Sequence, residues 1–348
     1  MPLRSMLSSR PYRSLLLFAV AALAAALSGC MPFDTPGYIA YAVGEPGSRD
    51  IVVSMPDGSD RRVITGDDAG QRADDFAPVW SPSRQMVAFL SNRDGNVEVY
   101  ISVADGSSFT RATNTSVDES QVVWAPDSKR IAYVSETDEG KPALYWLSLS
   151  NLVPDRLLDT AHGETQPAWS PSGEWIAFVL LDEAGDSTGV VLRDPNTVER
   201  IHLSQSMDYS PAWSPDSKRV AFVSLRDGDE EIYVVEVGEG GPAGAVAQVT
   251  DNQAVDAAPQ WSPDGNSIAF ISDRRETPDI FSSSPDGRDL IALTATDEEN
   301  EVGFAWGPNG WLVMETAGDG WSKVSVRSPD GEIGQRSSRD ELAAMPDW

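Results

Sequence analysis

Apolar and polar residues alternate along most of this chain in short runs, and the runs fall into a repeating group of four. Residues 209–214, 219–224, 231–237 and 245–250 form one such group, rich in β-branched and aromatic side chains. Turn chemistry separates them: Ser214-Pro215-Asp216-Ser217 after the first run and Arg226-Asp227-Gly228 after the second. Proline pre-sets the second position of a tight turn, and Asp and Gly accept the conformations that follow. Alternation with a period of two, bounded by such turns, predicts strands. No helical period appears after the first 30 residues.

The groups recur at a fixed interval. Trp80, Trp124, Trp169, Trp213, Trp261 and Trp306 are spaced 44, 45, 44, 48 and 45 residues apart, each followed by Ser-Pro, Ala-Pro or Gly-Pro. Seven to nine residues after five of them comes a β-branched–Ala–aromatic triplet, as in Val87-Ala88-Phe89 and Ile268-Ala269-Phe270. Four antiparallel strands per unit of about 45 residues, repeated, describe the blades of a β-propeller. One Trp per blade is expected to plug the seam to its neighbour, where an indole buries much apolar area. Met345-Pro346-Asp347-Trp348 repeats the opening of a unit, whereas Ile39-Ala40-Tyr41 begins a unit that lacks its first strand. The last strand is therefore expected to complete the first blade. That gives an all-β, seven-bladed propeller over residues 38–348, closed without free edges. The Trp306 unit is irregular after Pro308, which leaves six or eight blades open at this point.

These repeats resemble the TolB-like (WD-repeat-like) β-propeller family. Pro259-Gln260-Trp261-Ser262-Pro263-Asp264-Gly265 with Ile268-Ala269-Phe270 is the fullest match to its unit, and Ser91-Asn92-Arg93-Asp94-Gly95 and Ser224-Leu225-Arg226-Asp227-Gly228 match its second hairpin. The resemblance implies a module that docks envelope proteins at the mouth of its central channel. The α/β domain that precedes the propeller in the protein that gives the family its name has no room before residue 38.

Residues 1–29 read as an export signal, with Arg4, Arg10 and Arg13 before an apolar core from Leu15 to Leu27. Leu27-Ser28-Gly29-Cys30 resembles the lipobox of bacterial lipoproteins, which implies acylation of Cys30 and a lipid-anchored tether over residues 30–37. Met31 is not the Asp that retains such proteins in the inner membrane, so the resemblance points to the outer membrane where the cell has one. Cys30 is the single cysteine, so no internal disulfide forms. Residues 30–38, nine in all, reach about 30 Å at most when extended, which would hold the ring near the membrane. The net charge of −28 argues against nucleic acid, whose phosphates require positive surface. It also suits a salt-adapted surface that serves no partner.

Five residues before each internal Trp stands a carboxylate: Asp75, Glu119, Glu164, Asp208, Asp256 and Glu301, with Ala343 in the split unit. In a propeller this position ends the connection between blades, so all six should gather at one channel mouth, on the face opposite the tether. Such a mouth suits a cation such as Ca2+ or a basic protein segment. The competing expectation is internal: Asp75, Asp208 and Asp256 pair with Arg93, Arg226 and Arg274 of their own blades. Gly185-Asp186-Ser187-Thr188-Gly189 satisfies a hydrolase pattern but is followed by no helix, so the strained elbow that activates such a serine is absent. Two histidines, His162 and His202, cannot form a histidine metal cluster. The sequence thus predicts a monomeric, non-catalytic protein-interaction scaffold without a required cofactor. An envelope glycan- or peptide-processing enzyme using carboxylates on the same face is the alternative.

Overall fold

The computed structural model describes residues 37–66, 73–157, 162–197, 200–295, 299–335 and 343–348. The export signal, Cys30 and most of the tether lie outside these residues. The strands form seven antiparallel sheets, one per repeat. The inner strands of blades 2 to 7 are Asp75–Trp80, Ser120–Trp124, Glu164–Trp169, Asp208–Trp213, Asp256–Trp261 and Asn300–Trp306. Blade 1 takes its inner strand, Ala343–Asp347, from the other end of the chain and sets it antiparallel to Ile39–Val43. The pairs Ala40↔Asp347, Ala42↔Ala344 and Val43↔Ala343 fix the register. Inner strands of successive sheets neighbour one another right around the ring, from blade 7 through the closing strand to blade 2. Seven blades and closure by the last strand are thereby established. The irregular Trp306 unit is a full blade, with Leu312–Gly318, Trp321–Arg327 and Ile333–Gln335 outside its inner strand.

The core lies between blades. Trp124, Trp169 and Trp261 are at most 1 % exposed, and each belongs to a cluster that joins two sheets. Trp169, for example, packs with Val123, Ala132 and Leu144 of blade 3 and with Phe178 of its own blade. The indoles also stitch the seams: Trp124 Nε1 donates to the Val79 carbonyl at 2.9 Å, Trp213 to Ala168 and Trp261 to Ala212, both at 3.1 Å. A Cβ on Gly307 would collide with the Trp348 ring, so glycine follows Trp306 where other units carry Ser or Ala.

The two faces of the ring are built differently. On one, turns with proline at their second position, Ser-Pro-Asp in blades 5 and 6, join inner to second strands. In blade 5 Ser214 Oγ donates to Asp216 at 2.6 Å and accepts the Arg219 N–H at 2.9 Å, so one buried hydroxyl closes the turn. These turns bond to the next blade, as when Ser128 Oγ accepts the Ser83 N–H and Ser217 Oγ accepts the Ser172 N–H, both at 2.8 Å. The other face carries the connections between blades and the second-to-third-strand hairpins. The chain enters blade 1 at residues 37–38 on the turn face.

Candidate functional site

The six repeated carboxylates all lie on the loop face, where the connections between blades turn into the inner strands. Four open an inner strand, Glu119 immediately precedes one, and Glu301 is second in its own. They are covered rather than solvated: none is more than 2 % exposed.

Three are covered by one device. Arg93 Nη2 contacts both Asp75 oxygens at 2.9 and 2.7 Å while its Nε donates to Ser91 Oγ at 3.0 Å. Arg226 joins Asp208 at 3.1 Å and Ser224 at 2.8 Å, and Arg274 joins Asp256 twice at 2.9 Å and Ser272 at 2.8 Å. Each guanidinium also lies over an aromatic ring of its blade, Phe109, Tyr233 or Phe281, at 4.3 to 4.6 Å. The recurring Ser-x-Arg of the second hairpin is thus the lock on the blade's acid: one side chain neutralises the carboxylate and the ring holds it in place.

Glu164 replaces a missing hydroxyl. In blades 1, 2, 5 and 6 a threonine in the connection to the next blade (Thr65, Thr113, Thr250, Thr294) accepts a third-strand N–H at 2.8 Å, and Ser204 does so in blade 4 at 3.0 Å. Blade 3 carries Leu158 at that step of the sequence, and its Leu144 N–H goes instead to Glu164 of blade 4 at 3.1 Å.

Glu119 meets a second acid that spacing alone did not single out. Glu98 opens the third strand of blade 2, paired through Ser91 with Asp75 across the sheet, and it faces Glu119 across the seam. Glu98 Oε1 accepts from Arg111, Thr115 and Asn96, and Glu119 Oε1 accepts from Thr115 Oγ1 and Ser135 Oγ. Their Oε2 atoms are both buried and have no donor among the described residues. A proton on Glu119 would let that carboxyl donate across the seam to Glu98. Burial, then the neighbouring Glu98, pushes Glu119 up to about 8. Burial also works to raise Glu98, but hydrogen bonds from Thr113, Thr115 and Arg111 hold it below the usual carboxylate range. The seam between blades 5 and 6 repeats the theme. Asn252 Nδ2 bridges Glu231 and Asp256 at 3.3 and 2.7 Å, and burial with the nearby Asp256 pushes Glu231 up to about 7. The signal for Glu98 and Glu231 was present in the sequence, since each follows the hairpin glycine by three residues. Glu301 is buried opposite Thr316.

Among the described residues no group of three or more His, Cys, Asp or Glu side chains is arranged to hold a metal ion. Ser187 opens the third strand of blade 4 and donates to the Asp208 carbonyl at 2.5 Å, so its hydroxyl serves a backbone contact between blades. His202 sits exposed in the outer strand of that blade and His162 in the connection before it. Among the described residues no helix is long and apolar enough to cross a membrane.

A closed seven-bladed propeller with Trp-stitched seams and Ser-x-Arg-locked acids defines the class. The sequence profile of the TolB β-propeller domain matches residues 34–207 and 154–346, and the chain belongs to that family. It is 29 % identical over 157 residues to a Chlorobium luteolum protein named as a TolB homologue, a match spanning 44 % of this chain and 35 % of that protein. Among solved structures, TolB from Acinetobacter baumannii superimposes with a TM-score of 0.58 at 18 % identity, covering 91 % of this chain and 67 % of that one. Oligogalacturonate lyase from Vibrio parahaemolyticus (TM-score 0.62, 13 % identity, 86 % and 84 % covered) shares the fold. So does the propeller domain of the Pyrococcus furiosus Trilobed protease, with a TM-score of 0.66, 12 % identity and 88 % and 98 % coverage.

Proposed function

We propose that this protein is a non-catalytic docking module of the cell envelope, which receives a basic protein segment on the loop face framed by Asp75, Glu119, Glu164, Asp208, Asp256 and Glu301. The observation that carries the reading is a division of labour among the acids. The six inner carboxylates are at most 2 % exposed: Asp75, Asp208 and Asp256 are paired with an arginine of their own blade, and Glu164 accepts the Leu144 N–H across a seam. Asp118, Asp138, Glu139, Glu183, Asp186 and Asp251, in the loops of the same face, are exposed. Solvated acids on a rigid rim produce a focused negative potential that draws in a cationic partner and speeds its association. The grouping needed to hold a metal is missing among the described residues, so a basic segment rather than Ca2+ is the ligand proposed.

Membership of the TolB family supports an extracytoplasmic setting. Acylation at Cys30 would fasten the protein there, and entry of the chain on the turn face would leave the acidic face directed away from the lipid. Photo-crosslinking residues placed at 139 and 183 on the loop face, and at 127 and 216 on the turn face, test the reading in intact cells. It expects defined protein adducts from the first pair and few from the second. Adducts confined to the turn face, or crosslinks from positions 139 and 183 to lipid alone, would reject it.

A further inference from the structure

Among the seven described sheets, blade 1 alone draws its inner and second strands from distant parts of the chain, and two carboxyl groups grip the closing strand Ala343–Asp347 there. In six of the seven blades the residue three before the Trp takes a left-handed conformation at a bulge in the inner strand: Ala77, Gln121, Gln166, Ser210, Ala258 and Met345 all have φ from 50° to 54°. The N–H freed by such a bulge needs a new acceptor. The preceding blade supplies it: Gln121 Oε1 accepts from Gln166 at 2.6 Å, and Gln166 Oε1 from Ser210 at 2.7 Å.

At the closing strand the Met345 N–H goes to Glu315 Oε2 of blade 7 at 2.8 Å. The matching second-strand positions of the other blades are the buried aliphatics Ala42, Leu90, Val134, Val179, Val223 and Ile271. Glu315 lies over Gly303, which leaves it room. On the opposite side Asp347 Oδ2, 5 % exposed, accepts the Trp80 N–H of blade 2 at 2.7 Å. One carboxyl holds the strand to the blade before it and the other holds it to the blade after it.

We propose that Glu315 and Asp347 form a proton-dependent clasp that makes closure of the ring weaker as pH rises. Burial pushes Glu315 up to about 7, against the Met345 N–H and Arg49, and pushes Asp347 up to about 6, against the Trp80 N–H and Arg84. Both groups are raised in the folded state. Their stabilising contribution is complete below the unfolded carboxylate value and is lost as pH rises through 6 to 7. Other ionisable groups on the strands packed against the closing strand are Asp75, paired with Arg93, together with Glu301, Tyr41, Arg327 and Lys323, the last paired with Glu299. A buried carboxylate without its proton draws water into the seam, and blade 1 is where no turn ties the inner strand to its sheet.

Hydrogen exchange of residues 343–348 tests the clasp. After correction for intrinsic rates, wild-type protection in this strand is expected to fall about tenfold or more between pH 5.5 and pH 8, since a carboxyl whose pKa is raised by one changes the opening equilibrium by a factor of about ten. Protection of Ile268–Arg275 in blade 6 provides the internal reference. Combining Glu315→Gln with Asp347→Asn keeps both acceptors and removes the charges, and should cut the fall to about twofold or less. Equal wild-type protection at the two pH values overturns the proposal without recourse to any variant. A folded double variant with undiminished pH dependence overturns it too.

Discussion

The turn face and the loop face are made from the same repeat, yet they use their polar residues to opposite ends. On the turn face a short Ser-Pro-Asp sequence satisfies itself, and bonds such as Ser83 to Ser128 and Ser172 to Ser217 tie neighbouring blades. From blade 2 to blade 6 the β-branched–Ala–aromatic triplet of the second strand begins seven residues after its Trp in every case. The loop face accommodates connections of different length and sinks its repeated acids beneath the surface, where Arg93, Arg226 and Arg274 neutralise three of the six. Anchors at the foot of a loop leave its tip free to vary and to carry charge. A repeat protein can thus hold one face constant as scaffold and use the other for recognition.

The largest perturbation expected lies at the seams that serve both faces. Trp261→Ala should cost about 3–5 kcal/mol, since a fully buried indole and its bond to Ala212 are lost together. Urea unfolding followed by intrinsic fluorescence would measure it. A loss under about 1 kcal/mol would mean that the seams are not the core. Next is the lock of the loop face. Arg274→Ala leaves Asp256, which is 0 % exposed, without its counter-charge. Complete burial of both partners would make this about 3–5 kcal/mol; Arg274 keeps 18 % of its side chain exposed, so about 2–3 kcal/mol is expected. The same substitution at Arg288, on the turn face and 79 % exposed, should lie within about 0.5 kcal/mol. Similar losses at both positions would erase the difference between the faces.

The two seams that hold paired acids give a third, smaller effect. Glu119 and Glu231 are raised by burial, to about 8 and about 7, so their contribution is present at low pH and disappears as pH climbs through that range. Stability should decline between pH 6 and pH 9 by about 1–3 kcal/mol, given that raising a carboxyl pKa by one is worth roughly 1.4 kcal/mol. Glu119→Gln, which keeps an acceptor and adds a donor for Glu98, should flatten part of the slope in thermal melts. A wild-type profile flat over that interval would remove the proton from the seam. Smallest in stability is neutralising the rim. Asp138→Asn with Glu139→Gln should change unfolding free energy by less than about 0.5 kcal/mol while lowering affinity for a basic peptide at low salt.

Much of the scaffold was legible because its marks recur: Trp with Ser-Pro, the Ile-Ala-Phe triplet, and a final Pro-Asp-Trp that needed a partner. The face on which the six acids lie followed from their fixed offset from Trp. Their burial did not, because it depends on what the other strands bring up. Pairing of Asp75, Asp208 and Asp256 was half visible in the recurring Ser-x-Arg hairpin. The contact of Glu119 with Glu98 crosses between blades, and its one trace in the sequence is the glutamate three residues after the hairpin glycine, shared by Glu98 and Glu231. Glu164 departs from its equivalents because the repeat position that is Thr or Ser in blades 1, 2, 4, 5 and 6 is Leu158 in blade 3, a local substitution that repeat averaging hides. Gly307 and Glu315 are likewise single-blade adjustments, explained only once Trp348 and Met345 are seen against them.

The most direct test of the docking account is an exchange footprint of the protein with a lysine-rich peptide at low ionic strength. The account predicts added protection in residues 92–97, 113–118, 137–141 and 182–186, diminishing as salt is raised, with none in the turns at 125–129, 214–218 and 262–267. Absence of binding heat in a parallel titration, or protection centred on those turns, would contradict it.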